Sequence, residues 1–129
     1  MAGEIQVKTK ESPRFDGNTL KWFYHNTFPY TLEIELIDSD TQEPITYNDG
    51  DKIIVCFYDR RKNLVHTFEF NNLVPYEVGG QQFVEVTMKF DDEVTKKFDV
   101  GKYTYCTTYY GEYVTTIWDN ADAEVEECH

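Results

Sequence analysis

Acidic side chains are the most abundant groups in this sequence that could do chemistry. The 129 residues include 24 Asp and Glu, and two carboxylates at a suitable separation can act as general acid and base in glycoside hydrolysis. A chain with this many acids contains such pairs by chance, and the sequence has no G-x-S-x-G, H-E-x-x-H or P-loop motif. We therefore predict no catalytic residues and no enzymatic activity, and we keep a small hydrolase only as a third hypothesis.

The candidate metal ligands do not form a known pattern. Cys128 and His129 are adjacent, but a structural zinc site needs three or four ligands. Residues 38–43 (DSDTQE) begin like a calcium-binding loop, yet they lack the glycine and the distal glutamate of the helix–loop–helix site. Loop carboxylates of a β-sandwich can bind calcium in other ways, but the simpler interpretation is a solvated loop. We predict no metal and no cofactor.

Tyrosine is concentrated near the C-terminal end of the chain, where residues 103–110 read YTYCTTYY. Tyr103, Tyr105 and Tyr109 share one face of a predicted strand because side chains alternate between faces. Rings on an exposed sheet face can stack on sugars or contact another protein, since Tyr is enriched at interfaces. The same rings can equally form a layer of the core. The partner-contact candidates are Tyr105, Tyr109, Tyr110, Tyr113 and Trp118.

The spacing Asp99-x-Gly101-x-Tyr103 predicts a tyrosine corner, in which the Tyr hydroxyl bonds to backbone just upstream. Gly101 permits the sharp bend and Asp99 can cap it. We expect these three residues to be structural.

The positions of the cysteines differ from those in antibody domains. In antibody domains a cysteine lies two residues after the corner tyrosine. Here Cys106 comes one residue later, so it faces away from Tyr103. A disulfide from Cys106 across the core to Cys56 is therefore not expected. We predict reduced thiols that pack as small hydrophobic groups.

Alternation of apolar and polar residues predicts the strands that position these side chains. Asp91 or Asp92 can cap the one helix-compatible segment, 91–98 (DDEVTKKF). About seven or eight short strands with frequent turn signals predict an all-β antiparallel sandwich with one short helical crossover. The predicted strands are 21–26, 30–37, 52–59, 64–70, 83–90, 102–110 and 112–118.

The net charge and the organisation of the chain restrict the kinds of partner and location that we expect. The net charge of −12 argues against nucleic-acid binding, which requires a basic face. No apolar run is long enough to span a membrane, and the N-terminus does not resemble a signal peptide. We therefore expect synthesis in a cytoplasm. Residues 1–20 are interpreted as an arm that orders against a partner or as a frayed end, and residues 21–129 as one domain.

Several short motifs, in their order along the chain, resemble the virion domain typified by the N-terminal domain of upper baseplate proteins of phages of Gram-positive bacteria. The resemblance covers about residues 22–127. It is carried by Asn26-Thr27-Phe28 ahead of the strand 32–36, Asp49-Gly50-Asp51 ahead of 53–55, Glu93-Val94-Thr95, the segment 100–105 (VGKYTY) and the segment 114–117 (VTTI).

The resemblance implies an immunoglobulin-like sandwich that works as an assembly module in a phage particle and has no catalytic residues. In upper baseplate proteins a long receptor-binding extension follows this domain, whereas the present sequence stops at His129. A single copy fits a capsid decoration protein, a neck subunit or a baseplate adaptor of the tail. The expected partners are other virion proteins and further copies of the chain, and the expected location is the virion, after synthesis in the bacterial cytoplasm. The alternative is a carbohydrate-binding adhesion module.

Overall fold

Two β-sheets pack face to face around one hydrophobic core. The computed structural model describes residues 6–11, 15–16, 19–35, 37, 43, 47–111 and 114–127, with side chains described from Thr19 onward except those of 115 and 117–120. These residues form ten strands and one helix. In chain order they are β1 (Gln6–Glu11), β2 (Phe15–Asp16), β3 (Thr19–Phe23), β4 (Phe28–Glu35), β5 (Lys52–Tyr58), β6 (Leu64–Phe70), β7 (Tyr76–Val78), β8 (Gln81–Phe90), α1 (Asp92–Thr95), β9 (Gly101–Tyr110) and β10 (Val114–Glu126).

The strand order differs between the two sheets. The smaller sheet has the order β1-β4-β8-β7, and the larger sheet has the order β2-β3-β10-β9-β5-β6. Neighbouring strands are antiparallel except β3 and β10, which are parallel. The predicted all-β sandwich is therefore confirmed, and β5 and β9 are interior strands of the larger sheet.

The core forms because each central strand turns alternate side chains inward. In β5 the inward residues are Ile53, Val55 and Phe57, all fully buried. The ring of Phe57 stacks on that of Tyr105 with centroids 4.8 Å apart, which joins neighbouring strands of the larger sheet. Trp22 of β3 packs its ring 5.2 Å from Phe90 of β8, which joins the two sheets. Aromatic packing thus connects the sandwich both within and between its layers.

The helix α1 carries the chain from β8 of the smaller sheet to β9 of the larger one. Asp91 caps it, with Oδ1 accepting the backbone N–H of Val94 at 3.1 Å. The buried side chains of Val94 and Thr95 hold the turn against the sandwich. This agrees with the crossover predicted for residues 91–98 and with Asp91 as its cap.

The prediction of an N-terminal arm over residues 1–20 requires a correction. Residues 6–11 form β1, which pairs with β4, and β3 begins at Thr19 and pairs with β10. The described part of 1–20 therefore belongs to both sheets and is not a separate arm. Sequence reasoning missed this because the segment has no sustained apolar alternation, and its strands are instead fixed by backbone pairing to the edges of formed sheets.

The last strand is also longer than predicted. The sequence indicated 112–118, whereas β10 runs from Val114 to Glu126. Its register against β9 shifts between Thr116 and Trp118 and again between Trp118 and Ala121. Such irregularities mark β-bulges, which interrupt the two-residue alternation on which the prediction relied.

Candidate functional site

Two of the predicted contact tyrosines lie in the core. Tyr105 is 2% exposed and Tyr109 is 4% exposed, because odd-numbered residues of β9 point between the sheets. The Tyr105 hydroxyl lies 3.1 Å from the Tyr30 hydroxyl of β4. A partner cannot reach these rings in the folded chain, so their predicted contact role is corrected to a structural one. Tyr103 is also buried, so this set of rings offers no platform for stacking on a sugar.

Tyr109 belongs to a buried hydrogen-bonded group at one end of the sandwich. Its hydroxyl donates to Asp51 Oδ2 at 2.9 Å, and the same carboxylate oxygen accepts the backbone N–H of Asn48 at 3.1 Å. Burial raises the pKa of Tyr109, and the hydrogen bond to Asp51 raises it further. The phenol therefore stays protonated and fixes the turn that leads into β5.

The tyrosine corner has the hydrogen bonds that the sequence pattern predicts. The Tyr103 hydroxyl donates to the carbonyl oxygen of Asp99 at 2.9 Å and accepts the Asp99 N–H at 2.8 Å. Both contacts use the backbone of Asp99. Gly101, between them in sequence, has a φ of 148°, a conformation that favours glycine. The corner fixes the start of β9.

Tyr110 is the predicted contact residue that lies on the surface. It is 36% exposed and points to the outer face of the larger sheet. Lys52 of β5 and Val114 of β10 flank it in register. The Lys52 ammonium lies 5.6 Å from the centre of the Tyr110 ring, a cation–π contact. Tyr113 lies outside the described residues, as does the side chain of Trp118.

The outer face of β5 and β9 carries a row of uncharged side chains. Charged residues make up 28% of the chain, yet none occurs at these six central outward positions. Each side chain is half-buried, and the residues face one another in register across the two strands. We call this set the central strip: Ile54, Cys56, Tyr58, Thr104, Cys106 and Thr108.

Charged residues lie beside the central strip at several positions, and the uncharged Thr67 and Thr116 lie beside it at others. Register places Glu69 of β6 opposite Ile54, and Asp122 of β10 opposite Thr104. At the far end Lys102 pairs in register with Glu124. A centre without charge inside a polar rim is the usual anatomy of a protein–protein interface. The arrangement can therefore contact a flat partner.

The predicted location of the two cysteines needs a correction. Cys56 and Cys106 face each other across β5 and β9 within one sheet, and neither is in a disulfide. Both are half-buried on the outer face instead of packed in the core. The Cys56 charge and burial raise the pKa of Tyr58, the next outward residue of β5. The odd separation between Tyr103 and Cys106 correctly predicted that Cys106 faces away from the core. It could not predict the register between strands that places Cys56 beside Cys106.

Other potential sites are weaker. Among the residues that the structure describes, no three His, Cys, Asp or Glu side chains are grouped so as to hold a metal ion. The predicted loop 38–43 and the Cys128–His129 pair fall mostly or wholly outside them. No helix in the described parts of the chain is long and apolar enough to cross a membrane. A groove of about 170 Å³ is smaller than ordinary ligand sites, and it is lined by Thr19, Lys102, Tyr103, Asp122, Ala123 and Glu124.

Comparison with known proteins gives no family. A scan against protein-family models found no match, and a search of curated proteins also found none.

Proposed function

We propose that the protein is a structural subunit of a bacteriophage particle that docks onto other virion proteins through the outer face of its larger sheet. The observation that carries the docking role is the central strip with its polar rim. The phage setting is supported by the ordered motifs between residues 22 and 127. Capsid, neck and baseplate subunits are the proposed partners, and the virion is the proposed location.

We also propose that the sandwich is immunoglobulin-like. The order β1-β4-β8-β7 corresponds to strands A, B, E and D of that fold, and β9, β5 and β10 correspond to F, C and G. The helical crossover before β9 and the hydrogen bonds of Tyr103 to Asp99 support the same assignment. This fold would present the central strip from interior strands and thus on a rigid surface.

Rigidity and repetition explain how such a surface could work. Strands β5 and β9 are each paired on both sides, so their outward side chains lose little freedom when a partner binds. A single small interface gives modest affinity, but many copies on a symmetric particle give stable attachment. The net charge of −12 favours a partner surface that is basic around its rim.

The first experiment asks whether the protein is part of a particle. Quantitative mass spectrometry of purified virions should find the chain at a fixed copy number, and that number would distinguish decoration, neck and baseplate positions. A protein that is strictly monomeric and missing from virions would contradict the proposal. Binding to a glycan array would instead support the carbohydrate alternative.

The second experiment tests the surface. Thr108→Lys places a charge in the central strip, where desolvation of an unpaired charge should weaken docking at least about tenfold. Val78→Lys adds the same charge at an exposed position of β7 and should leave docking unchanged. Particle incorporation and sedimentation velocity measure the outcome, with thermal unfolding as the check on folding. Equal incorporation of both folded variants would exclude this face as the interface.

A further inference from the structure

Cys56 and Cys106 occupy directly opposite positions on β5 and β9. Opposed residues of antiparallel strands have Cα atoms about 4.5 or 5.5 Å apart, depending on the hydrogen-bonding pattern. Disulfides accept Cα separations of about 4.4–6.8 Å. The Cα separation of either kind of pair lies within the range that a disulfide accepts, and interior strands paired on both sides keep the two cysteines opposite each other.

The pair is accessible and has polar neighbours. Both cysteines are half-buried on the outer face, so each keeps part of its surface open to a small oxidant in solution. The Thr67 hydroxyl of β6 lies 3.8 Å from Cys56 Sγ and donates toward it. Tyr58 is the next outward residue on the same strand. These contacts orient Cys56 Sγ on the sheet surface and do not bury it.

We propose that Cys56 and Cys106 form an oxidisable dithiol that closes to a cross-strand disulfide on reaction with a small-molecule disulfide such as oxidised glutathione. The thiolate of one cysteine attacks a glutathione sulfur, forms a mixed disulfide and releases one glutathione thiolate. The second cysteine thiolate then attacks the protein sulfur and releases the second glutathione. The protein loses two electrons and two protons, and the glutathione disulfide is reduced to two thiols.

Closure links two residues that are 50 positions apart in sequence (106 − 56 = 50). A cross-link over a segment of this length restricts the unfolded chain and stabilises the folded state. The disulfide would join the two interior strands at the middle of the central strip. The disulfide would thus make the proposed docking surface and its sheet more rigid when the protein leaves a reducing cytoplasm. The chemistry is independent of the identity of any docking partner.

The experiment uses the full chain with Cys128→Ser, so that the pair supplies the only thiols. After incubation of the folded protein with oxidised glutathione, we expect a monomer that has lost about 2 Da and has no titratable thiol. Its Tm should rise by a few degrees, and dithiothreitol should reverse the change. Adding Cys56→Ser or Cys106→Ser should instead give a chain that carries one glutathione.

Three results would overturn the proposal. The first is a parent protein that carries glutathione on one or both cysteines without closing the bond. The second is an intermolecular disulfide dimer, which would show that the two thiols do not meet within one chain. The third is complete retention of thiols under conditions that oxidise a dithiol control peptide. Mass spectrometry of the parent protein distinguishes these results even if a serine variant fails to fold.

Discussion

The side chains of Tyr30 and Tyr105 connect the two sheets at the centre of the core. Tyr30 belongs to β4 and Tyr105 to β9, and their hydroxyl oxygens are 3.1 Å apart. Tyr105 lies two residues after the corner tyrosine, where antibody domains place the cysteine of their inter-sheet disulfide. In the proposed immunoglobulin-like fold, a hydrogen bond between phenols thus occupies the place of a covalent link.

This connection can be measured with a double-mutant cycle. Tyr30→Phe and Tyr105→Phe should each lower the free energy of unfolding, because a buried hydroxyl loses its partner across the sheets. We expect a coupling energy of about 0.5–1.5 kcal/mol between the two changes. Urea unfolding of the four proteins gives this value. Strict additivity would show that the hydroxyl pair contributes nothing, and Tyr110→Phe on the surface serves as the control.

Tyr76 gives a prediction about alkaline pH. Its hydroxyl donates to Glu33 at 2.8 Å and to Glu85 at 3.5 Å. Burial, together with the hydrogen bond and the charge of Glu33, raises the pKa of Tyr76 from 10.0 to about 12. The folded state therefore holds this proton more tightly than the unfolded state. The resulting stabilisation is complete below pH 10.0 and is lost as the pH rises toward 12.

A spectroscopic titration tests this prediction. Phenolate absorbance should show a late step near pH 12, and Tyr76→Phe should remove one tyrosine from that step. The free energy of unfolding of the variant should also fall less steeply between pH 10.0 and 12. The assignment fails if Tyr76→Phe removes a tyrosine that titrates early.

At the scale of elements, the interior strands and the edge strand β6 were predictable, whereas the edge strands β1, β2 and β7 were not. Val84, Val86 and Met88 alternate with polar residues in β8, and the structure buries all three. The apolar sequence of β5 on both faces correctly predicted an interior strand. In contrast, β1 and β7 are edge strands held by backbone pairing, and their sequences carry little apolar signal.

The candidate site was also predictable only in part. Alternation along β9 predicted which residues share a face, but it could not say which face points inward. Tyr105 and Tyr109 were therefore assigned to a partner although they form core. The register between β5 and β9, which places Cys56 beside Cys106, depends on long-range pairing that a single sequence does not encode locally.

The helix cap is the prediction that belongs to this scale. A helix as short as α1 (Asp92–Thr95) is not stable alone, so Asp91 and packing must hold the crossover. Asp91→Ala should lower the free energy of unfolding by about 0.5–2 kcal/mol because the Val94 N–H loses its side-chain acceptor and keeps only the Asp91 carbonyl oxygen. Asp91→Asn keeps a capping oxygen and should recover most of the loss. Chemical denaturation compares the three proteins, and equal values for both variants would mean that charge, not capping, matters.

At the scale of the whole molecule, the excess of acidic residues opposes folding into a compact state. The chain carries 12 Lys and Arg against 24 Asp and Glu, and such an excess repels itself when the protein folds. The hydrogen bonds of Tyr76 to Glu33 and of Tyr109 to Asp51 each place a neutral donor against an acid, which relieves repulsion locally. They cannot offset the field of the remaining carboxylates, so the stability of the molecule should depend on ionic strength.

Thermal unfolding in sodium chloride tests this dependence. Raising the salt from about 0.01 M to about 0.15 M shortens the Debye length from about 30 Å to about 8 Å, so repulsion between acids is screened and Tm should rise by several degrees. Most of the rise should come within this range, because screening saturates whereas surface-exclusion effects of salts grow with concentration. A variant in which three exposed acids become Lys (Glu77→Lys, Asp92→Lys and Glu127→Lys) should show a smaller rise and a higher Tm in low salt. A Tm independent of salt, or lower in salt, would mean that attractive ion pairs outweigh the excess of acids.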